Sequence, residues 1–276
     1  MFIPEELSQR RQKDLIRIQS FRLLDDDFMT KCFESNPACI ELVLRIILDM
    51  PDLTVLDVQT QVFIANLGKR AVRLDVLAVD SEGKKYNIEI QRNDKGADQK
   101  RARFHSGMMD AKWTEKGTAF EELPETYTIF ITENDVLGDG LPLYHIERCI
   151  LESKRLFQDE AHIIYVNGAY RDDSPLGLLM HDFSCTNPAD MHYDILAEQV
   201  KFYKESEKGV AVMCKVIEDV LQEGIDIGVE KGKAQGRAES ATEIARQMLR
   251  KKMSLKDIAE CTRMPLDAII VLQQTQ

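Results

Sequence analysis

Two carboxylates and a carboxamide occur in a stretch otherwise rich in Leu, Val and Ile, RLDVLAVDSEGKKYNIEIQR, at residues 73–92. The alternating residue types predict two β-strands joined by a short turn centred on Glu82. Asp75 and Glu89 are equally distant from this centre along the chain, so we expect them to face each other across the strands. Gln91 follows Glu89 at the spacing of two that keeps both side chains on one strand face.

Opposed carboxylates about 5 Å apart repel each other unless a positive charge lies between them. A divalent cation is the simplest solution, since Mg²⁺ prefers oxygen ligands and often bridges carboxylates to a phosphate. We therefore expect Asp75 and Glu89 to bind Mg²⁺ or Mn²⁺, with the backbone carbonyl of Ile90 as a further ligand. Gln91 would hold a water molecule by a hydrogen bond. An alternative stays open, in which both acids are exposed and form ion pairs with nearby cations, namely Arg73, Arg92 or Lys100.

The hairpin lies within an alternation of helices and strands. Asn36 as cap and Pro37 at the first position predict the start of a helix over ACIELVLRIILDM. Strand patterns follow at LTVLDVQTQVFI and in the hairpin, a polar helix at DKGADQKRARFHSGMMDAKW, and a strand at YTIFIT. Two more short strands are predicted at LYHIERCI and AHIIYVNGAY. This order predicts an α/β fold with a mixed sheet.

An acidic run precedes these elements. FRLLDDDFMTKCFES predicts a short helix in which Asp25, Asp26 or Asp27 acts as the N-cap. A metal-binding cluster is the alternative interpretation of the three aspartates, and solvated charge around a helix cap is the interpretation that we favour.

The C-terminal part of the chain is predicted to be helical from about Met191. Glycines at positions 224, 228, 232 and 236 fall along one slowly drifting row of a helix. This stretch is either a frayed linker, which we favour, or a helix that another helix approaches closely. Ser254 is a plausible N-cap for a final helical hairpin with a turn near Pro265. The second helix of this hairpin offers Asp267 and mostly apolar residues, so packing or self-association is favoured over reading of DNA bases.

Composition excludes several classes of protein. The net charge of −11 and the pI of about 5.1 imply that any contact with nucleic acid depends on a local cluster of cations. The six cysteines are scattered without a CxxC pair, and the five histidines show no zinc-site spacing, so we expect reduced thiols in a cytoplasmic protein. Apolar stretches are too short to cross a membrane, and no Walker loop, Rossmann fingerprint or nucleophile elbow is present.

In combination, the motifs resemble those of a known family. These motifs are distributed over nearly the whole chain. They are LLDDDFM, RLDVLAVD, NIEIQR, KRARFHSGMMDA, IFITENDVLG, IIYVNGA, EGIDIGVEKG and SLKDIAE. They resemble the PD-(D/E)XK nuclease superfamily and, more closely, its family of transposases, also called the recombination-promoting nuclease (Rpn-like) family. The resemblance implies a restriction-endonuclease-like core of helix, mixed β-sheet and helix, followed by a C-terminal helical extension.

The resemblance also implies roles for individual residues. Asp75 and Glu89 occupy the two acidic positions of the motif, and Gln91 occupies the position of its lysine, a substitution typical of this subfamily. A lysine would orient the attacking water and offset negative charge, whereas an amide only orients. Cations of the following helix would supply the missing charge and contact DNA, namely Lys100, Arg101 and Arg103.

Some relatives take a further metal ligand from the first core helix, for which Glu41 is the candidate. An ion pair with Arg45, four residues later on the helix, is the alternative that we favour.

The sequence thus predicts a Mg²⁺-dependent DNA endonuclease of a transposase-like, recombination-promoting family. We expect a nuclease-like domain at 1–205, a helical glycine-repeat linker at 206–240, and a small helix-turn-helix-like hairpin at 241–276. The C-terminal helical region is a candidate for homo-oligomer formation. The alternative function is a catalytically inactive nuclease-fold protein that binds DNA or serves in assembly.

Overall fold

A computed structural model describes residues 5–34, 36–64, 71–92 and 96–274, with side chains described from residue 11 onward. The chain forms two compact units, an N-terminal unit (Met1–Cys214) and a C-terminal unit (Lys215–Gln276). The boundary between them falls inside the linker predicted at 206–240. None of the described helices is long and apolar enough to cross a membrane.

The N-terminal unit is built on a mixed six-stranded sheet with the order β1-β2-β3-β4-β8-β5. The first three strands are antiparallel neighbours, β3, β4 and β8 run parallel, and β5 is antiparallel to β8. A separate ribbon pairs β6 with β7. The strands are β1 (Val55–Ile64), β2 (Val72–Asp80), β3 (Lys85–Gln91), β4 (Thr126–Thr132), β5 (Leu143–Ile146), β6 (Cys149–Ile150), β7 (Arg155–Leu156) and β8 (Ala161–Asn167). The predicted α/β fold with a mixed sheet is confirmed.

Helices cover this sheet, and every residue of β4 is buried. Contacts join α2 to β1 and β2, α3 to β1, and α4 to β2, β4 and β8. Ile64, Val72 and Leu74 of the sheet pack with Met108 and Met109 of α4. The helices of this unit are α1 (Glu5–Ser20), α2 (Asp26–Phe33), α3 (Pro37–Leu48), α4 (Gln99–Trp113), α5 (Pro175–Ser184) and α6 (Asp194–Glu205).

Local capping rules explain where α3 and α4 begin. The Asn36 side chain accepts a 3.4 Å hydrogen bond from the Cys39 N–H, and Pro37 occupies the first helical position, as predicted. Asp98 caps α4 through the Lys100 N–H at 2.7 Å. At α2, Asp25 occupies the N-cap position, but its carboxylate accepts from the preceding Arg22 N–H at 2.8 Å and forms no cap bond with the helix.

Three helices account for the remainder of the chain. They are α7 (Glu207–Arg250), α8 (Leu255–Thr262) and α9 (Leu266–Gln274). The glycine row lies inside the continuous helix α7, so the helical interpretation of this stretch is correct and the frayed linker is wrong. Ser254 caps α8 through the Asp257 N–H, and Ala245, Ile258 and Ile269 form the core of the predicted final hairpin.

Candidate active site

The hairpin of β2 and β3 brings Asp75 and Glu89 together. The register that pairs Val76 with Ile88 places Asp75 opposite Glu89, as the turn centred on Glu82 predicts. At this point the two carboxylates accept hydrogen bonds from backbone groups of the opposite strand. The Ile90 N–H donates to Asp75 Oδ2 at 3.1 Å, and the Asp75 N–H donates to Glu89 Oε1 at 3.4 Å. The side chains of both acids are therefore held within the sheet by its backbone.

Both acids are buried, so the alternative of exposed surface ion pairs is wrong. Glu89 is 0% exposed and Asp75 is 6% exposed. Burial, followed by the charges of Glu89 and Asp26, raises the pKa of Asp75 to about 8. Asp75 of the metal-free protein therefore retains its proton near neutral pH. A divalent cation would relieve this repulsion.

Asp26 is a third carboxylate at this site, and the sequence interpretation favoured a helix cap for it. It begins α2 and lines the same cavity as Asp75. Its pKa is raised by burial and then by Asp27, with a further contribution from Glu89. Gln61 donates to Asp26 Oδ1 at 3.2 Å, which fixes the carboxylate from the β1 side. In the sequence, the run of three aspartates was the feature that allowed the alternative interpretation, a metal-binding cluster.

A cavity of about 880 Å³ opens beside Asp26 and Asp75 and is bordered by cations. Lys100, Arg101 and Arg103 on the first turns of α4 line it, together with Arg73 of β2. The cations predicted to contact DNA and the predicted metal ligands Asp75 and Ile90 therefore lie around one cavity. Gln91 and Asp98 line it as well.

Arg101 lies beside both Gln91 and Glu89. Its Nη1 atom is 3.5 Å from Gln91 Oε1 and its Nη2 atom is 3.8 Å from Glu89 Oε2. The guanidinium group thus combines with the neutral amide at the position where the motif of the resembled family has its lysine.

His105 joins this group. The side chain is 5% exposed, with Nδ1 3.3 Å from Glu89 Oε1, while Arg101 Nε donates to its Nε2 at 3.3 Å. The Nδ1 atom is close to Glu89 but makes no hydrogen bond among the described residues. The spacing of four from Arg101 on α4 was the available signal in the sequence.

The donor set fits a hard divalent cation such as Mg²⁺ or Mn²⁺. Asp75 and Glu89 supply carboxylate oxygens, the ligand type that these ions prefer, and Asp26 lines the same cavity as Asp75. Glu89 Oε2 is buried and has no hydrogen-bond partner among the described residues. A buried carboxylate oxygen in this state is costly, and coordination to a cation would satisfy it.

Glu41 is not brought to this site. Its carboxylate forms a 2.7 Å ion pair with Arg45, the alternative favoured from the sequence, and accepts from the Val55 N–H at 3.0 Å. Val55 pairs with Asp80, whereas Asp75 lies five residues earlier on β2. At about 3.4 Å per residue, Glu41 is anchored some 17 Å along the strand from Asp75. A helical carboxylate does reach the site, but it comes from α2.

Comparisons with known proteins agree with this architecture. Searches among curated proteins and among solved structures give no match. A family model described as PD-(D/E)XK nuclease family transposase matches residues 34–168. The matched segment contains β1 to β8 and α4, with Asp75, Glu89 and Gln91, whereas Asp26 lies before it. Residues 34–168 of this chain are therefore similar to the PD-(D/E)XK nuclease family transposases.

Proposed function

We propose that this protein is a metal-dependent DNA endonuclease that hydrolyses phosphodiester bonds during recombination. The observation that carries the proposal is the pair of opposed carboxylates, Asp75 and Glu89, held by the sheet backbone beside a cavity that Asp75, Asp26 and several cations line. The match of residues 34–168 to the family model described as PD-(D/E)XK nuclease family transposase supports a nuclease-like activity.

Asp26, Asp75 and Glu89 would hold Mg²⁺ or Mn²⁺, with the Ile90 carbonyl as a fourth protein ligand. When bound, such an ion polarises the scissile phosphate and lowers the pKa of a coordinated water. In the reaction, the water oxygen forms a bond to phosphorus, one P–O ester bond breaks, and a phosphate end and a hydroxyl end result.

Gln91 would position the attacking water, and Arg101 would offset the negative charge that develops on the phosphate. The 3.5 Å contact between these side chains supports such a division of labour. Preorganised donors around a developing negative charge are commonly the largest contribution to catalysis. His105, whose Nδ1 atom is 3.3 Å from Glu89 Oε1, would help to hold that carboxylate in place.

Lys100 and Arg103 would hold the phosphates on either side of the cleaved bond. Because the chain carries a net charge of −11, DNA is attracted only where cations outnumber acids locally. The rim of the cavity at the start of α4 meets this condition, and binding there would weaken steeply with salt.

Cleavage of a supercoiled plasmid in the presence of Mg²⁺ tests the proposed activity. We expect the wild-type protein to nick the plasmid and the Asp75→Ala and Glu89→Ala variants to be inactive. Glu41→Ala serves as a matched control, since this acid of the same unit is paired with Arg45 away from the cavity. Equal nicking by all four proteins would remove the acidic pair from the mechanism.

A catalytically inactive, DNA-binding protein of the same fold is the second candidate. Gln91 in place of lysine and the contact of Arg101 with Glu89 favour it, since an arginine beside the acid competes with a cation. Calorimetric titration of the metal-free protein with Mg²⁺ and Mn²⁺ separates the two functions. Heat that disappears in Asp75→Ala supports the enzyme, whereas DNA binding without metal binding supports the second candidate.

A further inference from the structure

A second group of metal-ligating side chains lies in the N-terminal unit, beyond the matched residues 34–168. His181 and Asp182 are in the last turn of α5, and His192 lies just before α6. One ligand atom from each residue lies within 4.8 Å of the others. The two imidazole rings are 4.7 Å apart between centroids, with an interplanar angle of 61°. The proposed nuclease chemistry uses none of these residues.

The backbone around this group is fixed by Asp182, which is fully buried. Its Oδ1 atom accepts from the His192 N–H at 2.8 Å, and its Oδ2 atom accepts from the Tyr193 N–H at 2.9 Å. The Tyr193 hydroxyl donates to the Pro175 carbonyl at 2.9 Å, which ties the same turn to the start of α5. The two imidazoles are therefore carried by segments that are already joined to each other.

A purely structural role accounts for the carboxylate and for its contact with His181, but not for the second imidazole, His192. As a backbone acceptor at the start of α6, Asp182 would need neither histidine. Its side-chain ion contact in the described chain is with His181 Nδ1 at 3.3 Å. His181 is 39% exposed and His192 is exposed, so the group is open to solvent on the side away from the carboxylate.

We propose that His181, Asp182 and His192 bind a transition-metal ion of the Zn²⁺ type, with water completing the coordination. Imidazole nitrogen suits Zn²⁺, Ni²⁺ and Co²⁺, whereas Mg²⁺ favours oxygen ligands, so this site and the carboxylate site select different ions. Bonds of about 2.1 Å to Zn²⁺ require ligand atoms roughly 3.4 Å apart. Rotation of the two imidazoles toward the fixed carboxylate would shorten the distances between the ligand atoms to this value.

The bound ion would clamp the end of α5 to the start of α6. The segment between them includes Thr186, whose carbonyl accepts from the buried Lys204 of α6. The clamp thus adds to contacts that already fix this side of the unit. The inference rests on its own residues and is independent of the proposed nuclease function.

Calorimetric titration with Zn²⁺ tests the site in full-length, untagged, metal-free Asp75→Asn protein, in which the carboxylate site is disabled. We expect one equivalent of Zn²⁺ to bind and the thermal midpoint to rise, because the ion binds the folded chain. Adding His181→Ala or His192→Ala should abolish this binding. Adding His145→Ala, at another exposed histidine, should leave it unchanged.

Co²⁺ provides a spectroscopic readout for the same proteins. Ligation by two imidazoles and a carboxylate predicts visible d–d bands without a sulfur-to-cobalt charge-transfer band, and their loss in His192→Ala. Retention of the Zn²⁺ equivalent in both histidine variants, or a thiolate band, would overturn the proposal. A plasmid-cleavage result has no bearing on it, since every protein compared carries Asp75→Asn.

Discussion

At the scale of single residues, the site depends on placing acids where water cannot solvate them. Asp75 and Glu89 lie in the hydrophobic sheet and accept hydrogen bonds from it, which positions their oxygens but leaves their mutual repulsion. Burial, and then that repulsion, raises the pKa of Asp75. Such a site is poised to exchange a proton for a cation.

The raised pKa of Asp75 predicts an unusual dependence of stability on pH. Because the pKa of Asp75 is about 8 in the folded chain and near 4 when unfolded, the folded state binds more protons between these values. The free energy of unfolding of the metal-free protein should therefore fall as the pH rises from about 4 to 8. Asp75→Asn should flatten this fall, as measured by urea denaturation across the pH range. The exposed strand acid Asp57 provides the control Asp57→Asn, and equal slopes in Asp75→Asn and wild type would refute the interpretation.

The proposed roles of Gln91 and Arg101 at the lysine position of the motif predict different effects for Arg101 and Arg103. Arg101→Ala should lower the single-turnover cleavage rate by about 10²-fold, the usual effect of losing one preorganised donor. Arg103→Ala removes an exposed cation with no contact to Gln91 among the described hydrogen bonds, so it should weaken DNA binding with a smaller effect on the rate. Single-turnover kinetics with saturating protein separate the two effects, and a similar loss of rate in both variants would contradict the assignment.

At the scale of elements, the site requires α2 to be docked so that Asp26 reaches the sheet. Lys204 of α6 contributes to this docking, since its ammonium group donates to the carbonyls of Gln19 at 3.0 Å and Phe21 at 2.6 Å. It donates to the Thr186 carbonyl as well. Lys204 is 2% exposed, and burial lowers its pKa to about 8. Three segments distant in sequence thus meet at one buried cation beside the start of α2.

Lys204→Met should loosen α2 while leaving the hairpin intact. The substitution leaves three carbonyls without their donor, at a cost of about 1–3 kcal/mol for each one that stays buried. Hydrogen exchange should accelerate across α2 (Asp26–Phe33) but not across β3 (Lys85–Gln91), and Mg²⁺ affinity should fall with the displaced Asp26. Lys201→Met, at an exposed position of the same helix, is the control. Uniform acceleration in both elements would show that Lys204 supports the whole unit instead.

At the scale of the whole molecule, helix α7 contains glycines that lower its stability, and no contact within the described chain requires them. A Cβ atom added at Gly224, Gly228, Gly232 or Gly236 would meet nothing within 4 Å in the described chain. Each glycine costs about 1 kcal/mol relative to alanine in a helix interior. Ile225, Ile227 and Val229 are exposed on the same stretch of α7.

Self-association through this region stays a prediction from the sequence, and its test is the molar mass. We expect light scattering to report an oligomer for the full chain and a monomer after truncation following Gln222, because burial of the exposed aliphatic residues would be lost. Circular dichroism should show that the truncated protein keeps its folded α/β unit. A mass per chain that is unchanged by truncation would count against this role.

The sequence by itself determined the features that depend on near neighbours. A turn centred on Glu82 sets the register of β2 and β3, so the opposition of Asp75 and Glu89 follows from local spacing alone. The cap at Asn36, the hairpin after Ser254 and the cations at the start of α4 follow likewise from residues close in the chain.

Only the tertiary structure decided which distant side chains complete the site. Asp26 and Glu41 are both helical acids upstream of the hairpin, and nothing local distinguishes a ligand from an ion-pair partner. The docking of α2 and α3 on different parts of the sheet brings Asp26 to the cavity and leaves Glu41 with Arg45. His105 reaches Glu89 because α4 packs across the sheet. Burial of these groups, and thus their charge state, arises from contacts between segments far apart in sequence.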